Sequence, residues 1–340
     1  AVYEFTFEDV QTSVELSKAD LTDGKELPGA SLHVLDSTGT VVEEWISTEE
    51  PHMIRGLLVG ETYTLVETKP ADGYTTAESI EFKVEDTAEI QKHQMLDDVT
   101  KVEISKTDMT DSKEVPGAKL TILDKDGKVV ESWVSDKDPH MVEKLPVGTY
   151  TLREEQAPDG YLVAEEVSFE VKDTGEIQKV EMKDARPVGK LVLKKTDAED
   201  GSPLAGAEFE LRIKKSGKVV ATLVTDEEGA ATSGDIPIAT YKDGKMKKEI
   251  EYILVETKAT DGYVRSEKEE SVVFTYQDDK TKEIEITKEL TNERIPTGGY
   301  VKSPKTGDDT NIWLPIFLLV LSVGGIAGIF WYTKKKNHKE

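Results

Sequence analysis

An internal repeat is the feature that most constrains how this chain can fold. The stretch VELSKADLTDGKELPGASLHVLDSTGTVVEEWIS starts at Val14 and recurs from Val102 as VEISKTDMTDSKEVPGAKLTILDKDGKVVESWVS, and a looser copy starts at Leu191. Lys18 and Lys106 lie 88 residues apart. Self-similarity at a constant period indicates one folding unit used several times. We therefore predict three domains, at residues 12–98, 99–186 and 187–294, preceded at residues 1–11 by the last strand of another copy.

Each unit reads as a small β-domain. Short alternating runs such as KLTILD and SFEVK are separated by Asp-Gly and other glycine-containing turns, which is the pattern of hairpins. The predicted fold class is therefore all-β, with tandem immunoglobulin-like antiparallel sandwiches. The turn DKDG at residues 124–127 lacks the full set of oxygen ligands of a calcium loop. We interpret it as a hairpin turn and predict no metal site.

The composition of the chain argues against several functions. The 68 acidic residues outnumber the 43 Lys and Arg residues, and a formal net charge of −25 repels the phosphates of nucleic acid. The absence of cysteine excludes disulfides, thiolate metal sites and a cysteine nucleophile. His52 and His140 recur in the sequence PHM, where we interpret them as loop or packing residues. No cofactor is expected, and an enzyme is the least favoured function.

The C-terminus indicates a passage through the membrane. Residues 312–333, IWLPIFLLVLSVGGIAGIFWYT, carry no charge and are long enough to cross a bilayer as a helix. Aromatic residues stand at both ends of this segment, and the basic tail KKKNHKE at residues 334–340 should stay cytoplasmic. Everything before the segment is then outside the cell. Because the sequence begins without Met or a signal peptide, we expect it to be the C-terminal part of a longer exported protein.

Polar side chains end the apolar face of three strands in every unit. Residues i and i+2 of a strand share a face. By this rule a lysine lies on the inward, apolar face of the first strand, a glutamate lies on the inward face of a middle strand, and Asp or Asn lies on the inward face of the last strand. The lysines are Lys18, Lys106 and Lys195. The glutamates are Glu67, Glu154 and Glu256, and the last-strand residues are Asp97, Asp184 and Asn292. Each unit is thus predicted to bury one member of each set.

Two interpretations of these buried groups follow from electrostatics. Buried charges are costly unless they meet, so one interpretation is an ion pair or a few polar residues at the edge of the core. In the other, burial lowers the pKa of the lysine and raises that of the glutamate, so that a neutral amine faces a protonated carboxyl group. The amine can then attack the Asp or Asn side chain while the glutamate moves the protons. The product is a neutral amide, formed with loss of water or ammonia.

These residues resemble a known family. A glutamate strand followed by a turn ending in DGY occurs three times, as YTLVETKPADGY, YTLREEQAPDGY and YILVETKATDGY. Over roughly residues 12–294 the units resemble the Cna-B or SpaA type of domain in Gram-positive surface adhesins and pilins. The resemblance implies prealbumin-like sandwiches with self-formed isopeptide bonds. It also implies that Glu67, Glu154 and Glu256 are catalytic and that the bonds are Lys18–Asp97, Lys106–Asp184 and Lys195–Asn292.

The linker at residues 295–311 holds a second motif, SPKTG. The order of motif, apolar span and basic tail resembles the cell-wall sorting signal that sortases read. The resemblance implies cleavage after Thr306 and transfer of its carboxyl group to an amine of the peptidoglycan precursor. Sortase and that precursor are the expected partners, with the membrane as a partner before sorting. The recognised residues would be Ser303, which stands where the family usually has Leu, followed by Pro304, Lys305, Thr306 and Gly307.

Three functions fit these features. The favoured one is a wall-anchored stalk that holds a more distal adhesive region off the cell. In the second, the repeats themselves bind a host matrix protein such as collagen, although Trp45 and Trp133 are predicted to lie in the core rather than in an exposed patch. In the third, the chain is a minor or basal pilin, because it has no Tyr-Pro-Lys motif of the kind that polymerising pilins carry.

Overall fold

The computed structural model describes residues 10–296, which form only strands, turns and loops. The 24 strands build three consecutive sandwiches in a compact unit that ends at Arg294. Within the described residues, no helix is long and apolar enough to cross a membrane. Several predicted features lie outside the described residues: nearly all of segment 1–11, the SPKTG motif at 303–307, the apolar span at 312–333 and the tail at 334–340.

Repeat 1 has seven strands in two facing sheets. The strands are β1 (Ser13–Asp20), β2 (Ser31–Leu35), β3 (Val41–Ile46), β4 (His52–Arg55), β5 (Thr62–Lys69), β6 (Ile80–Lys83) and β7 (Ile90–Asp97). One sheet has the order β4-β1-β7 and the other the order β3-β2-β5-β6. Every second residue of β1 and β5 is buried, because the apolar face of each strand points between the sheets.

Repeat 2 has the same arrangement. Its strands are β8 (Lys101–Asp108), β9 (Lys119–Leu123), β10 (Val129–Val134), β11 (His140–Glu143), β12 (Gly148–Gln156), β13 (Val167–Val171) and β14 (Ile177–Asp184). The sheets have the orders β11-β8-β14 and β10-β9-β12-β13. The sequence similarity between the two units thus extends to their topology.

Repeat 3 keeps both sheets and adds a hairpin. Its strands are β15 (Val188–Asp197), β16 (Glu208–Ile213), β17 (Val219–Val224), β18 (Ala230–Thr232), β19 (Ile236–Pro237), β20 (Ala239–Lys242), β21 (Lys245–Glu249), β22 (Glu251–Lys258), β23 (Glu270–Val273) and β24 (Glu283–Asn292). One sheet has the order β17-β16-β22-β23, and in the other β15 pairs with β18, β19 and β24. The additional hairpin is β20-β21.

One strand pair in each repeat departs from the predicted antiparallel arrangement. The first and last strands, β1 and β7 in repeat 1, run parallel over their whole length. The same holds for β8 with β14 and for β15 with β24. The reason in the seven-stranded repeats is that the chain reverses at each of six connections, so the seventh strand points the same way as the first. The N-terminal and C-terminal ends of a repeat consequently lie at opposite ends of its sandwich.

Each sandwich has its own apolar core. In repeat 1 the core includes Leu16 of β1 and Leu65 of β5. The prediction that the tryptophans are core residues holds only in part. Trp45 is half-buried at the edge of this core and stacks on His52, with ring centroids 4.2 Å apart. Trp133 and His140 repeat this stack in repeat 2, at 4.4 Å.

Candidate functional site: a buried triad in each repeat

One lysine per repeat ends in the core because strand alternation places it there. In β1, Val14 and Leu16 are buried and Lys18 is the next residue on the same side, with 2% of its surface exposed. Lys106 of β8 and Lys195 of β15 hold the same place and are equally buried. Such burial is rare for lysine unless a partner meets the ammonium group.

A glutamate from the opposite sheet meets each lysine. Oε1 of Glu67, in β5, lies 2.9 Å from Nζ of Lys18. The other oxygen of Glu67 accepts a 2.7 Å hydrogen bond from the backbone N–H of Ala77, which holds the side chain in place. The same anchor, ten residues after the glutamate, recurs in the other repeats: Ala164 donates to Glu154 at 2.6 Å and Ser266 to Glu256 at 2.5 Å.

The last strand contributes the third group. Nζ of each lysine donates to a side-chain oxygen of that strand: Lys18 to Asp97, Lys106 to Asp184 and Lys195 to Asn292. The carboxylates of Glu154 and Glu256 lie 3.2 and 3.4 Å from their lysine Nζ atoms. The structure therefore brings the nine residues together as triad 1 (Lys18, Glu67, Asp97), triad 2 (Lys106, Glu154, Asp184) and triad 3 (Lys195, Glu256, Asn292).

Triads 1 and 2 lack a hydrogen-bond donor that triad 3 has. In triad 3, the side-chain amide of Asn292 donates to Oε1 of Glu256 over 2.9 Å. In triads 1 and 2 an aspartate takes that place. Buried oxygens that accept no well-directed hydrogen bond are Oε1 of Glu67, Oδ2 of Asp97, Oε1 of Glu154 and Oδ2 of Asp184. Such orphaned atoms are costly, and one proton shared between the two carboxyl groups of a triad would supply the missing bond.

Burial shifts the pKa of three triad residues. Removal from water raises the pKa of Asp97 and of Asp184 to about 7, a rise that the lysine opposes and the neighbouring glutamate reinforces. Burial lowers the pKa of Lys195, against the opposing effect of Glu256. Both shifts favour the neutral forms. A neutral amine is a nucleophile, and a protonated carboxyl group can lose its hydroxyl as water.

The geometry suits amide formation. The lysine nitrogen can attack the side-chain carbonyl carbon while the glutamate takes a proton from nitrogen and delivers one to the leaving group. With aspartate the C–O bond would break and water would leave, whereas with asparagine the C–N bond would break and ammonia would leave. A polar cavity of about 190 Å³ adjoins triad 3 and is lined in part by Lys195 and Glu256. Among residues 10–296, no group of three His, Asp or Glu side chains is arranged to hold a metal ion.

A second polar cluster beside each triad was missed by the sequence analysis. An aspartate two residues after the triad lysine accepts a hydrogen bond of 2.7–2.8 Å from the tyrosine of the DGY turn: Asp20 from Tyr74, Asp108 from Tyr161 and Asp197 from Tyr263. A cation completes each cluster: Lys144, Arg186 and Arg294, respectively. The signal that could have revealed the clusters is the aspartate that recurs in SKAD, SKTD and KKTD.

The repeats match a family with a defined fold. The SpaA prealbumin-like fold domain matches residues 12–98, 100–186 and 189–290, which together make up more than half of the chain. The chain belongs to the SpaA prealbumin-like domain family. Its three sandwiches are therefore SpaA domains, and the parallel pairing of first and last strands is their common feature here.

Several solved structures are similar to this chain. The Bacillus anthracis TIE protein matches 84% of this chain at 26% identity and a TM-score of 0.54, and the match spans about half of that protein, 52% of its length. BcpA, the major pilin subunit of Bacillus cereus, matches 84% of this chain and 100% of its own at 17% identity and a TM-score of 0.44. A streptococcal ancillary pilin matches 84% and 99% at 15% identity and a TM-score of 0.33. No curated protein matches the sequence.

Proposed function

We propose that this chain is the stalk and wall anchor of a Gram-positive surface protein, with each SpaA domain crosslinked internally by a Lys–Asp or Lys–Asn amide bond. The observation that carries the proposal is the repetition of one buried triad in three domains. A single buried ion pair would be an ordinary feature. Three triads on equivalent strands, each with an amine against a side-chain carbonyl group, favour one shared chemistry.

Each crosslink would join the first strand of a domain to the last. The bonded residues are 79, 78 and 97 positions apart in the three domains. By analogy with a disulfide, closing loops of this length stabilises each domain by about 4–5 kcal/mol through the unfolded state. The reaction also leaves the lysine and its Asp or Asn partner without charge. Each glutamate acts once, so the chain crosslinks itself and does not turn over a substrate.

The anchoring part of the proposal rests on the sequence after the domains. The SPKTG motif, the uncharged span at 312–333 and the basic tail follow one another in the order of a sorting signal. A sortase would cleave between Thr306 and Gly307 and join the Thr306 carboxyl group to the peptidoglycan precursor. The domains would then stand outside the membrane, attached to the cell wall, with residues 295–302 as the only spacer before the motif.

The intact mass of the unit Ala1–Arg294 tests the crosslinks. Complete reaction removes two waters, one for each of triads 1 and 2, and one ammonia for triad 3. Glu154→Gln should abolish one water loss because it removes the proton carrier of triad 2. Glu155→Gln is the matched control, since Glu155 is the next residue in β12 but is exposed, and all three losses should persist in it. A native mass equal to that of the unmodified sequence would refute the crosslinks.

The anchor is tested by the fractionation of cells. Thr306→Ala should move the protein from the cell-wall fraction to the membrane and medium fractions, because the residue that would become bonded to peptidoglycan is lost. Thr310→Ala lies four residues further along the same linker and should leave the protein in the wall fraction. Deletion of the sortase should reproduce the effect of Thr306→Ala, and wall attachment that survives both changes would contradict the proposal.

A further inference from the structure

The second domain contacts the first through a lysine in an unusual backbone conformation. Lys144 follows β11 directly and has a φ of +63°, in the left-handed region that residues with a Cβ atom avoid. Gly56 follows β4 at the same place in the first domain, with a φ of +80°. Each donates its backbone N–H over 3.0 Å to a threonine carbonyl, Gly56 to Thr12 and Lys144 to Thr100. The turn is therefore the same, and the second domain has a lysine where glycine is favoured.

The contacts of the Lys144 side chain supply a reason for this departure. Its Nζ atom donates to the hydroxyl oxygen of Tyr74 at 2.6 Å and to Oδ2 of Asp20 at 3.2 Å, and both acceptors belong to the first domain. Tyr74 in turn donates to the same oxygen of Asp20 at 2.7 Å. Asp20 is buried, and a buried carboxylate needs an opposite charge nearby.

Among the described residues, no cation of the first domain forms an ion pair with Asp20. In the other two domains an arginine stands two residues after the last triad residue: Arg186 lies 2.6 Å from Asp108, and Arg294 lies 2.6 Å from Asp197. The equivalent residue of the first domain is Val99, which packs with Leu27 and Ala30 in a small apolar cluster. The Asp20–Tyr74 pair therefore takes its cation from the following domain.

We propose that Lys144 is a clamp between the first two domains: its ammonium group completes the Asp20–Tyr74 pair and holds the two domains at one relative orientation. The adjoining backbone has the close fit that a fixed joint requires. A Cβ atom on Gly73 would lie only 2.4 Å from the carbonyl oxygen of Lys144. The clamp uses no triad residue, so it stands apart from the proposed crosslinks.

Residual dipolar couplings of the unit Ala1–Arg294 test the clamp, because they report whether two domains share one alignment in solution. We expect one alignment tensor for the first two domains of the native unit. Lys144→Met removes the ammonium group, and Lys144→Gly introduces the residue that the first domain has at this turn. Both variants should give separate tensors for the two domains. Lys137→Met is the control at an 80% exposed lysine beside Asp138, and it should leave the tensor shared.

Two results would overturn the clamp. The first is a shared tensor in both Lys144 variants. The second is a loss of amide-exchange protection in β8 and β11 of Lys144→Gly. That loss would mean that Lys144 supports the fold of its own domain. The clamp instead predicts that Lys144→Gly leaves the protection of β8 and β11 intact or increases it, because glycine relieves the strain of the left-handed backbone conformation.

Discussion

A charged residue that folding removes from water must meet an opposite charge, change its protonation or react, and the triads are placed for all three. As unreacted ion pairs they would be vulnerable, because truncation of one partner leaves the other uncompensated at a cost of about 3–5 kcal/mol. An amide carries no charge and ends this vulnerability. The third domain has Asn292 where the others have Asp97 and Asp184, which keeps the same buried contact and would change the leaving group of the proposed reaction.

His93 should make the stability of the first domain depend on pH. Its ring stacks on Phe82 at 4.8 Å between centroids, and its Nε2 atom is buried without a hydrogen-bond partner. Burial lowers the pKa of His93, so the unfolded chain binds this proton more readily than the folded one. The stability contribution is therefore fully present above the ordinary histidine pKa of about 6.5 and is lost as the pH falls below it.

Thermal unfolding of the unit across this pH range measures the effect. Val180 holds the place of His93 in the second domain, since both face the equivalent residue of the first strand. His93→Val is therefore the matched variant, and it should remove the loss of stability of the first domain under acid conditions. The same acid-induced loss in this variant would contradict the assignment to His93.

At the scale of secondary-structure elements, the two joints between domains are built differently. The first joint uses the turn after β11, with Lys144, and two hydrogen bonds that Thr76 donates to the side chain of Asp173. The second uses the additional hairpin β20-β21: Tyr241 donates to the carbonyl oxygen of Gly160 at 2.5 Å, and the guanidinium group of Arg186 lies 3.9 Å from the centre of the Tyr241 ring. Both joints contact the DGY turn of the preceding domain, which makes this turn the common connecting element.

Alanine substitutions in the DGY turns should separate backbone strain from contact between domains. Gly73, Gly160 and Gly262 all have φ near +90°. A Cβ atom at Gly262 would have no neighbouring atom within 4 Å, so Gly262→Ala should lower the stability only by the backbone strain, about 1–2 kcal/mol. Gly73→Ala should cost more, because its Cβ would meet the backbone of Lys144. Gly160→Ala should also cost more, because its Cβ would lie 2.6 Å from Met246. Urea unfolding measures these losses, and equal values at the three glycines would contradict the prediction.

Across the whole molecule, the path of tension follows from the parallel pairing of first and last strands. A pull on the chain enters a domain at the start of the first strand and leaves at the end of the last, so it shears these two neighbours past each other. Lys18 lies near the end of β1, and Asp97 is the last residue of β7. A covalent bond between them would transmit the force directly from β1 to the end of β7, so that the other strands of the sandwich would bear no load.

Single-molecule pulling on the unit Ala1–Arg294 tests this load path. With the bonds formed, the segments between the bonded residues cannot extend. The triple variant Glu67→Gln, Glu154→Gln, Glu256→Gln should instead release roughly 270 Å of contour length from the 79-residue span of the first domain. Glu155→Gln should behave like the native unit, and native unfolding steps as long as those of the triple variant would refute the load path.

Much of this organisation was accessible from local properties of the sequence. The period of the repeat determined the number of domains, and the two-residue period of a strand placed Lys18, Glu67 and Asp97 on inward faces. The structure buries these residues and brings them into contact. The amide bonds stay predictions because the triads show contacts and not bonds, and the sorting signal stays one because its motif lies outside the described residues.

Tertiary structure alone decided the features that depend on distant partners. β7 pairs in parallel with β1, although the two strands are far apart in the chain. The alternation of residues within one strand does not predict the direction of its pairing partner. The half-buried position of Trp45 depends on the ring of His52 from another strand. Lys144 reads as an ordinary surface lysine until the fold brings it, across 124 residues, to Asp20. Side-chain faces are set by local backbone geometry, whereas strand partners and ion partners are set by which surfaces the folded chain brings together.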